Sequence, residues 1–101
     1  MDFNHFLTSY MPDPSIGSKV HFQNMIDQAV LAEKLGYKTV SIPEHHLVNL
    51  LMMPSPLQMA VKIATLTKDI KISTSVAVLP LHDMRTYAGE VATADILTEG
   101  R

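Results

Sequence analysis

Ala32-Glu33-Lys34-Leu35-Gly36-Tyr37-Lys38-Thr39-Val40-Ser41-Ile42-Pro43-Glu44-His45-His46 holds the end of a helix, a complete strand and the residues that follow it. Gly36 reads as the left-handed residue that stops the helix. Thr39 to Ile42 is a short β-branched run, and Pro43 ends it because proline has no N–H to donate to a ladder. Upstream of Gly36 the helix extends back to about Ser18. Phe22, Met25, Ile26, Ala29, Val30 and Leu35 fall on its inward face, opposite Gln23, Asp27, Glu33 and Lys34.

The same unit recurs on both sides. Asp2 to Leu7 alternates weakly and reads as a first strand. Thr8 to Ser18, with Pro12, Pro14 and Gly17, is a loop longer than the usual strand-to-helix connection of about 2–6 residues. Toward the C-terminus, Ser55-Pro56 predicts a helix start, with serine as the cap and proline as the first helical residue. That helix runs to about Thr67, with Leu57, Ala60, Val61 and Ala64 on one face and Met59, Ile63 and Leu66 widening the stripe. Ile70 to about Val78 is the third predicted strand, and its apolar run Val76–Leu79 suits burial on both faces. Leu81 to Arg85 reads as a loop, and Thr86 to Leu97 as a third helix with Ala88, Val91, Ala92 and Ile96 inward. Strand–helix alternation predicts an α/β fold with parallel strands wrapped by helices. No repeat or linker divides residues 1–101, so they read as one domain. The pattern fits a doubly wound sheet and an eight-stranded barrel equally.

Composition narrows the function. The chain has 101 residues, 47% hydrophobic and 18% charged, with eight basic and ten acidic side chains. A formal charge of −2 gives it no electrostatic claim on nucleic acid or an anionic membrane. Cysteine is absent, which excludes disulfides and thiolate chemistry. Met1-Asp2-Phe3-Asn4-His5 lacks the basic and apolar regions of a signal peptide, and no apolar run is long enough to span a bilayer, so a cytoplasmic protein is expected. The glycines are isolated, so neither a dinucleotide fingerprint nor a P-loop is present.

In either architecture the site gathers at the C-terminal ends of the strands. Thr8–Met11, Pro43–His46 and the stretch from Ser75 through His82 occupy that rim. Glu44-His45-His46 is the densest cluster: two imidazoles beside a carboxylate can serve as a general base or donate to a developing oxyanion. The alternative is that one imidazole packs under the loop while the carboxylate holds a backbone turn. No metal site is expected, because adjacent side chains do not converge on one ion. His82 with Asp83 is a second possible donor pair, although a surface-loop histidine is the simpler reading. His5 reads as core packing, and His21, at the polar start of a helix, has no functional case. Leu50, Leu51, Met52 and Met53 could line an apolar pocket or simply pack.

Several segments in order carry a family resemblance. They are Ala32–Tyr37, Ile42–His46, Thr67–Ile72, Thr74-Ser75-Val76, Val78-Leu79-Pro80, His82, and Ala88 to Arg101 with Glu90, Asp95, Leu97, Thr98 and Glu99. Together they resemble the amino-terminal part of the luciferase-like flavin monooxygenases over essentially the whole chain. The resemblance implies the first three strand–helix units of a (β/α)8 TIM barrel, ending before the fourth strand. It implies a flavin-dependent oxidoreductase that uses reduced FMN, supplied by a flavin reductase, and oxygen on an organic small molecule. A deazaflavin (F420)-dependent dehydrogenase of the same superfamily and a non-catalytic flavin-binding or dimerisation module are the alternatives. His45 matches the family histidine beside the flavin, with Glu44 and His46 orienting it or shaping the pocket. Ser75 and Val76 match the position where the backbone approaches the flavin ring, and a cis peptide bond is implied between them. The Asp83-Met84 step departs from the proline-containing form common in the family. Inward faces that need a complete barrel imply a homo-oligomer rather than a free monomer.

Overall fold

The computed structural model describes residues 1–101. Three strands, β1 (Asn4–Phe6), β2 (Thr39–Ile42) and β3 (Lys71–Thr74), alternate with three helices, α1 (Ser18–Lys34), α2 (Pro56–Ala64) and α3 (Met84–Leu97). The strands pair in parallel in the order β1-β2-β3, with His5, Val40 and Ile72 in register. Neighbours in space are therefore neighbours in sequence. A doubly wound sheet with its first strand in the middle is excluded, and the sheet grows as a barrel wall does.

Alternation along each strand separates two faces. Val40, Ile42 and Ile72 point toward α1 and α2, where they join Leu7, Met25, Ile26, Ala29, Ala60, Ile63 and Ile70 in the core. Each large apolar side chain buried there stabilises the fold by roughly 1.5–3 kcal/mol. His5 lies on this side too, partly buried at the margin of the core, 3.3 Å from Gln28 Oε1 and edge-on to Tyr37. The opposite face carries small polar groups. Ser41 Oγ donates to Asn4 Oδ1 at 3.0 Å and pairs with Ser73 Oγ at 2.8 Å, crossing all three strands.

The element ends follow local chemistry. Gly36 adopts φ 87°, and the N–H groups of Gly36 and Tyr37 return to Glu33 and Ala32, both at 3.0 Å, closing α1 as its sequence predicts. Pro56 opens α2, but the Ser55 hydroxyl makes no capping bond. At the other end of α2, the Arg101 guanidinium donates to the Ala64 carbonyl and the Thr67 hydroxyl. Asp83 caps α3 by accepting from Arg85 N, so this helix starts two residues before the position read from sequence. No helix is long and apolar enough to cross a membrane.

Three expectations need correction. The third strand stops at Thr74. Ser75 N–H makes the last bond to β2 (2.8 Å to Ile42 O), Val78 N–H turns to a carboxylate, and Leu79–Leu81 forms a 3-10 turn around Pro80. Val76 is 71% exposed, so the run after Thr74 is not a doubly buried strand. The buried residues of α3 are Tyr87 and Ala94, while Val91 and Ile96 are exposed. The apolar residues of this helix surround it, and only packing against α2 selects which of them turn inward. Leu35 likewise lies outside the core, because the helix has already ended where it stands.

Glu33 fixes where β3 begins. Its Oε1 accepts from the N–H groups of Asp69 (2.8 Å), Ile70 (2.9 Å) and Lys68 (2.9 Å). Burial opposes ionisation, but these three N–H groups and the nearby Arg101 charge outweigh it and hold the carboxyl below the usual glutamate range. A depressed value means that the contribution is complete above the ordinary glutamate range and is lost as pH falls through the depressed one. Glu33→Ala is expected to lower the unfolding free energy by about 1–2 kcal/mol at neutral pH, a charged hydrogen-bond contribution discounted for partial exposure. Urea titrations of both proteins should converge as the pH falls into the acid range. A gap that stays constant from neutral to acid pH would contradict this role.

Candidate functional site

Pro43 ends β2 and delivers Glu44 to the rim with its carboxylate fully enclosed. Oε1 receives two imidazoles, His46 Nε2 at 2.6 Å and His82 Nε2 at 2.7 Å. Oε2 accepts from Val78 N–H at 2.8 Å. Burial works against the charge, yet the donors His46, Val78 and His82 prevail and hold the carboxyl below its ordinary value. An ionised carboxylate only accepts, so both imidazoles carry hydrogen on Nε2. In a neutral ring, Nδ1 then remains as an acceptor.

The rim segments are joined to one another. His45 N–H donates to Met53 O at 2.8 Å, Met52 N–H to Ser9 O at 2.9 Å, and Met11 N–H to Leu50 O at 2.8 Å. The loops after β1 and β2 thus form one backbone-paired layer. His21 supports it from beneath: its ring is buried, with Nε2 3.3 Å from Met52 O. The His21 ring thus turns inward under the loop, where the sequence suggested a polar helix start. A lone histidine on the first turn of α1 gave no sign that the loop would fold back over it.

The residues singled out from sequence separate into two groups. Glu44 and His46 meet in one cluster. The half-exposed His45 imidazole makes no hydrogen bond to the protein, and only its backbone is committed. Ser75 and Val76 follow β3 on the same rim, and the peptide bond between them is cis. His82 belongs to the Glu44 cluster rather than to an idle surface loop. Its ring stacks on Tyr87 with centroids 4.1 Å apart. Asp83 plays no part there, since it caps α3 and pairs with Arg85. The involvement of His82 was hidden because 38 residues separate it from Glu44, and only the closing of β3 against β2 brings them together. Tyr87 carried no sequence signal beyond its place in an apolar helix.

Chemically, the rim offers an enclosed anion, two imidazoles oriented by it and a third, uncommitted imidazole. The segments Thr8–Met11, Pro43–Met53 and Ser75–His82 contain no lysine or arginine. They suit proton handling beside a neutral or planar group rather than the binding of a phosphate.

The chain is similar to known proteins along its whole length. The sequence model of the luciferase-like monooxygenase family matches residues 1–101. The uncharacterized protein y4vJ of Sinorhizobium fredii is 35% identical over all of this chain and 29% of its own length. The oxygenase component of flavin-dependent trigonelline monooxygenase from Acinetobacter baylyi is 30% identical over 79% of this chain and 22% of its own. Among solved structures, the oxygenating constituent of 3,6-diketocamphane monooxygenase from Pseudomonas putida, in complex with FMN, superposes with a TM-score of 0.91 at 25% identity. The match covers 99% of this chain and 27% of that one. The chain thus spans less than a third of the length of these relatives.

Glu44→Gln should unfold at lower urea concentration, with a loss of about 2–3 kcal/mol, because an amide cannot accept from all three donors and leaves buried groups unpaired. His46→Ala and His82→Ala should each cost less, since the carboxylate keeps two of its partners. Equal stability of Glu44→Gln and the unaltered protein would remove the carboxylate from the centre of the cluster.

Proposed function

This chain belongs to the luciferase-like monooxygenase family, and from that premise we propose that it forms the flavin-facing rim of an FMN-dependent oxygenase acting on an organic small molecule. One observation carries the reading: the family match spans the whole chain, and the histidine–carboxylate cluster stands at the C-terminal ends of its parallel strands. Residues 1–101 are, on this proposal, the first three units of a (β/α)8 barrel. Support comes from the free outer edge of β1 and from Phe6, which is half exposed on the face away from the helices.

The residues present fit a flavin ring. Ser41, Ser73 and Ser75 keep side chains small at the end of the face away from the helices, and the His45 imidazole has no competing partner. Reduced FMN, when bound, supplies the electrons with which dioxygen and the organic substrate react. Ser75 and Val76 would border its ring, and His45 would hold or move a proton at the reacting centre. Glu44 and His46 would shape the pocket wall, with the Glu44 carboxylate accepting from Nε2–H of His46 and of His82. The backbone-paired loops after β1 and β2 would keep water from that side of the ring. With no cation on these segments, the phosphate of FMN would be held elsewhere. A flavin reductase partner is proposed from the A. baylyi relative, which is named as an oxygenase component. A homo-oligomer is proposed from the exposed apolar residues of α3 (Met84, Val91, Ile96 and Leu97).

The test is stopped-flow mixing of photoreduced FMN with the protein expressed from its complete reading frame, with and without oxygen. Tight binding of reduced FMN and oxygen consumption coupled to substrate oxidation are expected. Hydride transfer to a deazaflavin without oxygen would replace this reading by a dehydrogenase, and flavin binding without turnover would replace it by a binding module. His45→Ala should lower turnover by roughly 10²–10⁴ while changing flavin affinity far less. Turnover within a few-fold of the unaltered enzyme, in a folded variant, would show that His45 is structural.

A further inference from the structure

Tyr87 sits in the first turns of α3, 6% exposed, and its ring lies against that of His82 with centroids 4.1 Å apart and planes inclined by 23°. The backbone links the two rings rigidly. His82 closes the 3-10 turn by donating its N–H to Leu79 O (3.0 Å), and Asp83 then caps α3. Tyr87 N–H returns to Asp83 O at 2.9 Å. An imidazole on such a short arm has a broad, roughly two-fold χ2, so backbone placement alone does not decide where Nε2 points. Two contacts can decide it. A face contact fixes the plane of the ring, and the Glu44 carboxylate, 2.7 Å from Nε2, selects which edge faces inward.

We infer that Tyr87 is a positioning residue for His82, its aromatic face holding the imidazole in the one plane from which Nε2–H reaches Glu44. This rests on the reading of the Glu44 cluster as part of the flavin site. The phenol itself is not required. No hydrogen bond ties the Tyr87 hydroxyl to the protein, and burial together with the Glu44 and Glu90 carboxylates keeps it neutral by raising its pKa. A leucine there would keep an apolar side chain between α2 and α3 but remove the aromatic face, so the stack separates positioning from packing.

The experiment compares Tyr87→Leu, Tyr87→Phe and His82→Ala in the protein expressed from its complete reading frame, with nitrogen-15 histidine labelling. In the unaltered protein and in Tyr87→Phe, His82 should appear as a single Nε2–H tautomer, with ring protons shifted upfield by the tyrosine or phenylalanine face. In Tyr87→Leu that signature should give way to averaged tautomers. The kcat of Tyr87→Leu should fall about tenfold to a hundredfold with little change in KM, as expected when a side chain that shapes the site loses its orientation. Tyr87→Phe should recover kcat to within a few-fold. An unchanged His82 tautomer and kcat in Tyr87→Leu would overturn the inference. Should Tyr87→Leu not fold, the absence of the ring-current shift or of the Nε2–H tautomer in the unaltered protein would overturn it instead. If His82→Ala keeps full turnover, it is the reading of the site that fails, while the tautomer measurement still decides the role of Tyr87.

Discussion

Glu44 leaves β2 with a carboxylate that solvent does not reach, and three N–H groups close around it, one from His46 in the same loop and two from the segment after β3. An unpaired charge in such a place would cost several kcal/mol, so the donors cannot be optional. Meeting this requirement joins the end of β2 to the segment after β3. β3 has ended at Thr74, and Val78 N–H beyond it turns to the Glu44 carboxylate. His82 is drawn inward from what would otherwise be a surface turn, and α3 starts directly behind it with Tyr87 against the ring. Much of the C-terminal third of the chain is arranged around one pair of oxygens.

The sheet provides the complementary constraint. Parallel pairing in chain order puts the carboxyl ends of all three strands on one side, and only there do loops carry imidazoles, a carboxylate and the cis Ser75–Val76 bond together. The helix-facing side is apolar and closely packed. The other side bears a line of small hydroxyl groups and Phe6, which suits a barrel interior completed by further strands. The Arg101 carbonyl already accepts from Ile72 N–H on the outer side of β3, at 2.7 Å, as a next strand would.

Much of the fold was legible because its signals are local. Gly36 and Pro43 punctuate the chain through φ preference and a missing donor, and Ser55-Pro56 marks a helix start even though the hydroxyl is left idle. Strand order could not be read from periodicity, since doubly wound and barrel sheets share the same alternation; the family resemblance supplied it. The end of β3 was misread because Val76 to Leu79 are apolar for reasons other than strand burial. Glu44 and His46 were visible as neighbours in sequence. The connection to His82, the stack with Tyr87 and the support from His21 were not, because each joins residues that only the tertiary fold brings together.

On the proposed function, the Glu44 cluster organises a rim at which reduced flavin is bound. A crystal structure of the protein expressed from its complete reading frame, grown with FMN, tests this most directly. The account predicts the flavin ring at the carboxyl ends of β1 to β3, bordered by Ser75 and Val76 and within reach of the His45 imidazole, with Glu44 still accepting from His46, His82 and Val78. A flavin bound away from this rim, or a Glu44 side chain released to solvent when the flavin is in place, would contradict it.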